Sequence, residues 1–138
     1  MKTFAGARIP VLGVLCVIAL CASCSSSEES SETELAIQQF YDRLAAEDYA
    51  AALGLYTTEV RGMLELSGGE IDDGYVQWAQ EETKQGSVDR VAIVEESVEA
   101  ESAEVKYEVF YGDGSSARRT VSLTREDGQW KLGFIDNG

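Results

Sequence analysis

The side chains that could do chemistry are few, and their types narrow the options. Among 138 residues there is no histidine, so the chain has no imidazole base and no imidazole metal ligand. Acid–base work would fall to Asp, Glu, Tyr, Lys or Arg, and a working carboxylate would need burial and a raised pKa. No Asp or Glu stands at an apolar-face position that takes it inside. Asp42 and Asp136 come nearest, and both read as surface. Asp72-Asp73 and Glu81-Glu82 are sequence neighbours, which diverge by about 100° on a helix and make no ready chelate. Capping and solubility account for them. Glu70 with Asp72 and Asp73 lacks the oxygen spacing of a dedicated calcium loop. Gly112-Asp113-Gly114 lacks the helix and Lys that follow a phosphate loop. The expectation is a protein without metal or cofactor, and not an enzyme.

Binding chemistry is better represented. Tyr107, Tyr111 and Trp130 fall at strand period and, with Tyr41, Tyr75 and Trp78, could line a hollow for an apolar ligand with one or two hydrogen-bonding groups. Rings at these periods also serve as ordinary core. Arg119 shares a strand face with Val121 and Leu123, where it would meet an anionic ligand group, pair with one of the many acids, or reach out to solvent. Tyr107, Tyr111, Arg119 and Trp130 are therefore the candidate ligand-binding residues.

The elements that must position them change period halfway along the chain. Ser31 and Glu34 have capping-box spacing, and Leu35, Ile37, Phe40, Tyr41 and Leu44 then recur at helical intervals. Asp48 caps a second, short helix carrying Tyr49, Ala52, Leu53 and Tyr56. Thr57 or Thr58 caps a third, with Val60, Met63 and Leu64. Ser67-Gly68-Gly69 breaks the chain. Asp72 or Asp73 caps a fourth, with Tyr75, Trp78 and Ala79 on one face and Gly86 as its stop. Beyond Gly86 the period is two. Val88–Ser97 is a strand with an irregularity. Ala103–Tyr111 puts Val105, Tyr107, Val109 and Tyr111 on one face. Ala117–Arg125 follows the turn at Gly112–Ser115, and Trp130, Leu132 and Phe134 share a face after the turn at Glu126-Asp127-Gly128. Short turns dictate an antiparallel meander, apolar on one face and charged on the other.

Ahead of these elements lies an address. Lys2 and Arg8 precede an uncharged apolar run, Ile9 to Ala22, and small residues follow. That order predicts a secretory signal over residues 1–23, since a run of this length falls short of the roughly 20 residues of a membrane span. The three cysteines, Cys16, Cys21 and Cys24, all lie here. Leu20-Cys21-Ala22-Ser23-Cys24 resembles the lipobox of bacterial lipoproteins, departing from it at Cys21, where the family prefers Leu. The resemblance implies cleavage before Cys24 and its acylation, which leaves the mature chain no free thiol. Residues 24–32, the lipidated Cys and an acidic Ser/Glu tether, have too little apolar surface to order themselves. Residues 33–138 form a single domain.

Asp and Glu number 25 against 11 Lys and Arg, a net charge of −14. That balance argues against nucleic acid, which needs clustered cations. The first helix (Ala36-Ile37-Gln38-Gln39-Phe40-Tyr41-Asp42-Arg43-Leu44), the stretch Glu47-Asp48-Tyr49-Ala50-Ala51-Ala52 and the closing Glu126-Asp127-Gly128-Gln129-Trp130-Lys131-Leu132 resemble small bacterial lipoproteins with a lumazine-binding-like domain of unknown function. These belong to the cystatin-like, nuclear-transport-factor-2-like superfamily, and the likeness spans roughly residues 33–136. It implies an α+β cone, with N-terminal helices packed in the concave face of a curved antiparallel four-stranded meander and an apolar hollow at the open end. It implies no activity. The expected function is a non-catalytic lipoprotein of the cell envelope, anchored to a bacterial membrane with its domain outside the cytoplasm, binding a small apolar ligand or a protein partner. The alternatives are a small isomerase or dehydratase with a buried carboxylate, and a structural homodimer module.

Overall fold

The computed structural model describes residues 31–65 and 70–137. The signal, Cys24, most of the tether and the Ser67-Gly68-Gly69 break lie outside the described residues.

Four helices come first: α1 (Glu32–Ala45), α2 (Tyr49–Leu53), α3 (Thr58–Leu64) and α4 (Asp73–Glu82). Each begins where a side-chain oxygen accepts a backbone N–H that the helix itself leaves unpaired. Ser31 takes the amide of Glu34, Asp48 that of Ala51, Thr57 that of Val60 and Asp72 that of Tyr75. Glu32 and Glu34 also set negative charge in the first turn of α1, where the helix dipole favours it. The buried stripe of α1 is Ile37, Phe40, Tyr41 and Leu44. Leu35, expected in that stripe, is 53% exposed, because two residues of helix turn it about 200° from Ile37.

Four strands follow, β1 (Val88–Val98), β2 (Ser102–Tyr111), β3 (Ser116–Glu126) and β4 (Gln129–Asp136), in the spatial order β1-β2-β3-β4 and all antiparallel. The turn between β3 and β4 has positive φ at both Asp127 and Gly128, the twist that suits a two-residue hairpin. One sheet face is apolar. Ala103, Val105, Tyr107, Val109 and Tyr111 of β2, Val121 and Leu123 of β3, and Trp130 and Leu132 of β4 are buried with the helix stripes in one core. On the other face Glu104, Lys106 and Arg118 meet solvent. The fold is the expected α+β class, with helices gathered on one side of an open four-stranded meander. Its core closes within residues 37–132, so the stretch from α1 onward carries its own fold.

Two irregularities shape what this core presents. The register of β1 on β2 shifts between Val88 and Arg90 and between Ile93 and Glu95, which absorbs the continuous apolar run there. On the other side Val121 pairs with Ile135, but Leu123 pairs with Leu132. One extra residue of β4 is thus accommodated, and alternation fails at the bulge. Phe134, expected on the face of Trp130 and Leu132, is instead 56% exposed. The chain between α2 and α3 seals that edge of the sheet: Thr57 N–H donates to Leu132 at 2.8 Å and Leu132 N–H to Leu55 at 2.9 Å.

Candidate functional site

Three of the four candidate ligand-binding residues meet at one place. Tyr107 and Arg119 pair across β2 and β3, and Tyr111 follows two pleat periods further on the same face as Tyr107. What gathers them is Glu82, at the last turn of α4 and only 5% exposed. Its carboxylate receives Arg119 Nε at 2.9 Å and Nη2 at 3.0 Å, a two-point ion pair. Tyr41 O–H donates to the same carboxylate at 2.5 Å. With that proton committed, Tyr107 O–H donates to the Tyr41 oxygen at 2.9 Å. Tyr111 O–H donates to the Glu82 backbone carbonyl at 2.6 Å. Arg119 also gives Nη1 to the Arg118 carbonyl.

Glu82 was expected on the surface with Glu81. It is buried because Tyr75, Ala79 and Glu82, at i, i+4 and i+7, share the inward face of α4. Asp42 and Asp136 are exposed. Burial pushes the Tyr41 and Tyr107 hydroxyls well above their ordinary pKa and raises Tyr111 too, with the negative charge of Glu82 adding to all three. The hydrogen bonds to Glu82 raise Arg119. The cluster is a neutralised charge pair wrapped in phenols, and each carboxylate oxygen of Glu82 is spoken for.

Trp130 lies elsewhere. It pairs with Arg125, whose guanidinium sits 4.5 Å over its ring. Trp130 borders a shallow cleft of about 310 Å³ with Leu35, Gln39, Leu55 and Lys131. Arg125 lies six residue steps along β3 from Arg119, roughly 20 Å of strand, so Trp130 cannot share a ligand with the Glu82 cluster.

Tyr75 and Trp78 form a third group that residue spacing did not connect to β4. Their rings stack at 5.6 Å with 26° between planes, and Tyr56 meets Tyr75 edge-on at 5.9 Å. Leu64, Phe134 and Ile135 complete a cleft of about 290 Å³ with them. Burial pushes Tyr75 up to about 12, with the neighbouring Tyr56 hydroxyl working against that shift. The exposed ring of Phe134 was the missed element here; only the β4 bulge, invisible to strict alternation, delivers it to this wall.

Among the described residues, no group of three Asp, Glu or Cys side chains is placed to hold a metal ion. No helix among them is long and apolar enough to cross a membrane.

A family model described as a domain of unknown function (DUF4878) matches residues 25–133. No curated protein matches the chain. Among solved structures, the chain is similar to a SEC-C motif containing protein from Rhodopseudomonas palustris, at 12% identity and a TM-score of 0.57, over 81% of this chain and 84% of that one. At that identity the likeness is one of fold alone. It is also similar to a putative NTF2-like transpeptidase from Campylobacter jejuni, at 20% identity and a TM-score of 0.47, over 74% of this chain and 97% of that one.

Proposed function

The chain belongs to the family of domains of unknown function described as DUF4878, and from that premise we propose that it is a non-catalytic lipoprotein of the cell envelope, a lipid-held relative of the lumazine-binding-like lipoproteins it resembles. Cys24 carries the lipid, and the domain outside the cytoplasm binds a small apolar ligand. The observation that carries the non-catalytic part is the state of Glu82. It is the one carboxylate buried below a tenth of its surface among the described residues, and a general base must be able to reach the proton it removes. Arg119 and Tyr41 occupy its oxygens instead. The observation that favours an apolar ligand is the open cleft of Tyr56, Tyr75, Trp78 and Phe134, which is uncharged among the described residues.

Native mass spectrometry of the protein extracted from its own membranes tests the binding reading. The expected spectrum carries a small molecule beyond the acylated chain; a bare chain mass removes that reading and leaves a protein partner. Labelling growing cells with a fatty acid tests the anchor. Label should enter the wild-type chain and be absent from Cys24→Ser.

A second reading keeps one observation in its favour. Glu82 beside Tyr41 and Tyr107 supplies the buried carboxylate and phenols an isomerase of this architecture would use. It requires a substrate to displace Arg119. An Arg119→Met chain that gains no affinity for enone or dienol compounds speaks against it.

A further inference from the structure

We propose that the cleft between α3, α4 and the end of β4 binds an uncharged, planar aromatic molecule of about two rings; this deepens the ligand-binding reading above and rests on it. Three features fix the chemical class. The first is the lining. Tyr56, Leu64, Tyr75, Trp78, Phe134 and Ile135, with Gly74, bring no charged side chain to the wall, so an ion entering it would lose its hydration without gaining a partner. The second is shape. The near-parallel Tyr75–Trp78 stack makes one flat wall, and Phe134 supplies another ring that protein packing leaves uncovered. Flat aromatic walls favour an offset or edge-on aromatic guest. The third is size. At about 290 Å³ the cleft sits at the lower edge of the roughly 300–1,000 Å³ at which proteins hold small molecules. Two rings fill it, while a sterol or a long acyl chain overflows it.

The exposure of Phe134 is built into the strand. Regular pairing would send Phe134 inward beside Leu132; the register shift between Val121 and Leu123 puts Ile135 opposite Val121 instead. The bulge sits at Gly133, where an added Cβ would lie 3.1 Å from the Ser122 carbonyl oxygen, so the tight approach that turns Phe134 outward uses the absence of a side chain. The Tyr75 hydroxyl is buried away from the cleft surface, so the wall it presents is its ring.

The test titrates the uncharged, planar two-ring dye 6-propionyl-2-(dimethylamino)naphthalene into the chain from Ser27 to Gly138 and follows dye fluorescence. Saturable one-to-one binding is expected, weakened about tenfold by Phe134→Ala, the loss of roughly one aromatic contact. Leu35→Ala, at the separate cleft beside Trp130, should leave it unchanged. Because Phe134 is exposed, its variant folds, and far-ultraviolet circular dichroism checks this. Absence of saturable binding overturns the proposal, as does binding that Phe134→Ala leaves intact or that naphthalene-2-sulfonate matches in affinity. Native mass spectrometry of the membrane-extracted protein separates this failure from that of the broader reading. A bound molecule of another class overturns the aromatic assignment alone; a bare chain together with no dye binding overturns both.

Discussion

Arg119 and Glu82 show at the scale of single residues why a buried ion pair is a poor source of stability but a costly thing to break. Glu82's side chain keeps 4% of its surface and that of Arg119 keeps 18%. Removing one partner leaves the other's charge without compensation, which costs about 3–5 kcal/mol, whereas replacing both with apolar side chains of similar volume is often near neutral. Arg119→Met should therefore lower the unfolding free energy by about 3 kcal/mol in urea titration, and the double variant Glu82→Met/Arg119→Met should recover much of the loss. The phenols around the pair give a second prediction. Tyr41, Tyr56 and Tyr107 are buried and their folded pKa values lie above the ordinary value near 10. The unfolded chain thus loses these protons first as pH rises, and the stability they contribute is complete below pH 10 and lost above it, at about 1.4 kcal/mol per pH unit for each. Alkaline unfolding should be cooperative above pH 10, with phenolate absorbance near 295 nm (approximate) appearing together with loss of the far-ultraviolet signal. Ionisation of Tyr41, Tyr56 or Tyr107 in a chain that stays folded would contradict it. Strand alternation was enough to place Tyr107, Tyr111 and Arg119 on one face, and the meander made two of them neighbours. Glu82 was hidden because its neighbour Glu81 is a surface acid and α4 is polar overall; the i, i+4, i+7 spacing from Tyr75 through Ala79 was the legible sign. Trp130 shares the face but not the place, since period alone says nothing about distance along a strand.

At the scale of elements, cap chemistry made the helices readable. Ser31, Asp48, Thr57 and Asp72 are short polar side chains just ahead of apolar stripes, and each accepts the amide its position calls for. Removing such a cap typically costs about 1 kcal/mol. Thr57→Ala should cost at least that, because the Thr57 amide also ties α3 to β4 through Leu132 and any shift of the cap strains that link. The strands were readable for a different reason: one solvated face gives clean alternation, and β2 buries every second residue from Ala103 to Tyr111. Alternation failed where the backbone departs from a regular ladder. The β4 bulge leaves Leu132 fully buried and Phe134 exposed, two residues apart. Leu132→Ala should therefore cost about 2–5 kcal/mol, while Phe134→Ala should stay within about 0.5 kcal/mol, as surface changes do. Thermal melts of the two variants check the bulge directly; equal destabilisation would mean that regular pairing holds to the end of the strand.

At the scale of the whole molecule, surface charge sets how the domain would meet a membrane under the proposed anchoring. The outward sheet face carries Glu104, Lys106, Glu108 and Arg118, with Lys106 3.6 Å from Glu95 and Arg118 3.7 Å from Glu108. Exposed pairs of this kind contribute little, yet each would need stripping of water to bury the face against a second copy. That works against the dimer module and favours a monomer. The same surface is part of a chain with net charge −14, which an anionic bilayer repels over about a Debye length. A domain of this charge gains no membrane affinity from its own surface, so under the proposed lipid anchoring all of that affinity comes from acyl chains at Cys24, each buried methylene adding about 0.8 kcal/mol. The acylated protein should sediment completely with vesicles rich in phosphatidylglycerol, and salt should not release it. The chain from Ser27 to Gly138 should remain in the supernatant as a monomer by light scattering at every salt concentration. Sedimentation of the unacylated chain, weakening as salt rises, would instead locate a membrane-binding surface on the domain and remove the requirement for the lipid.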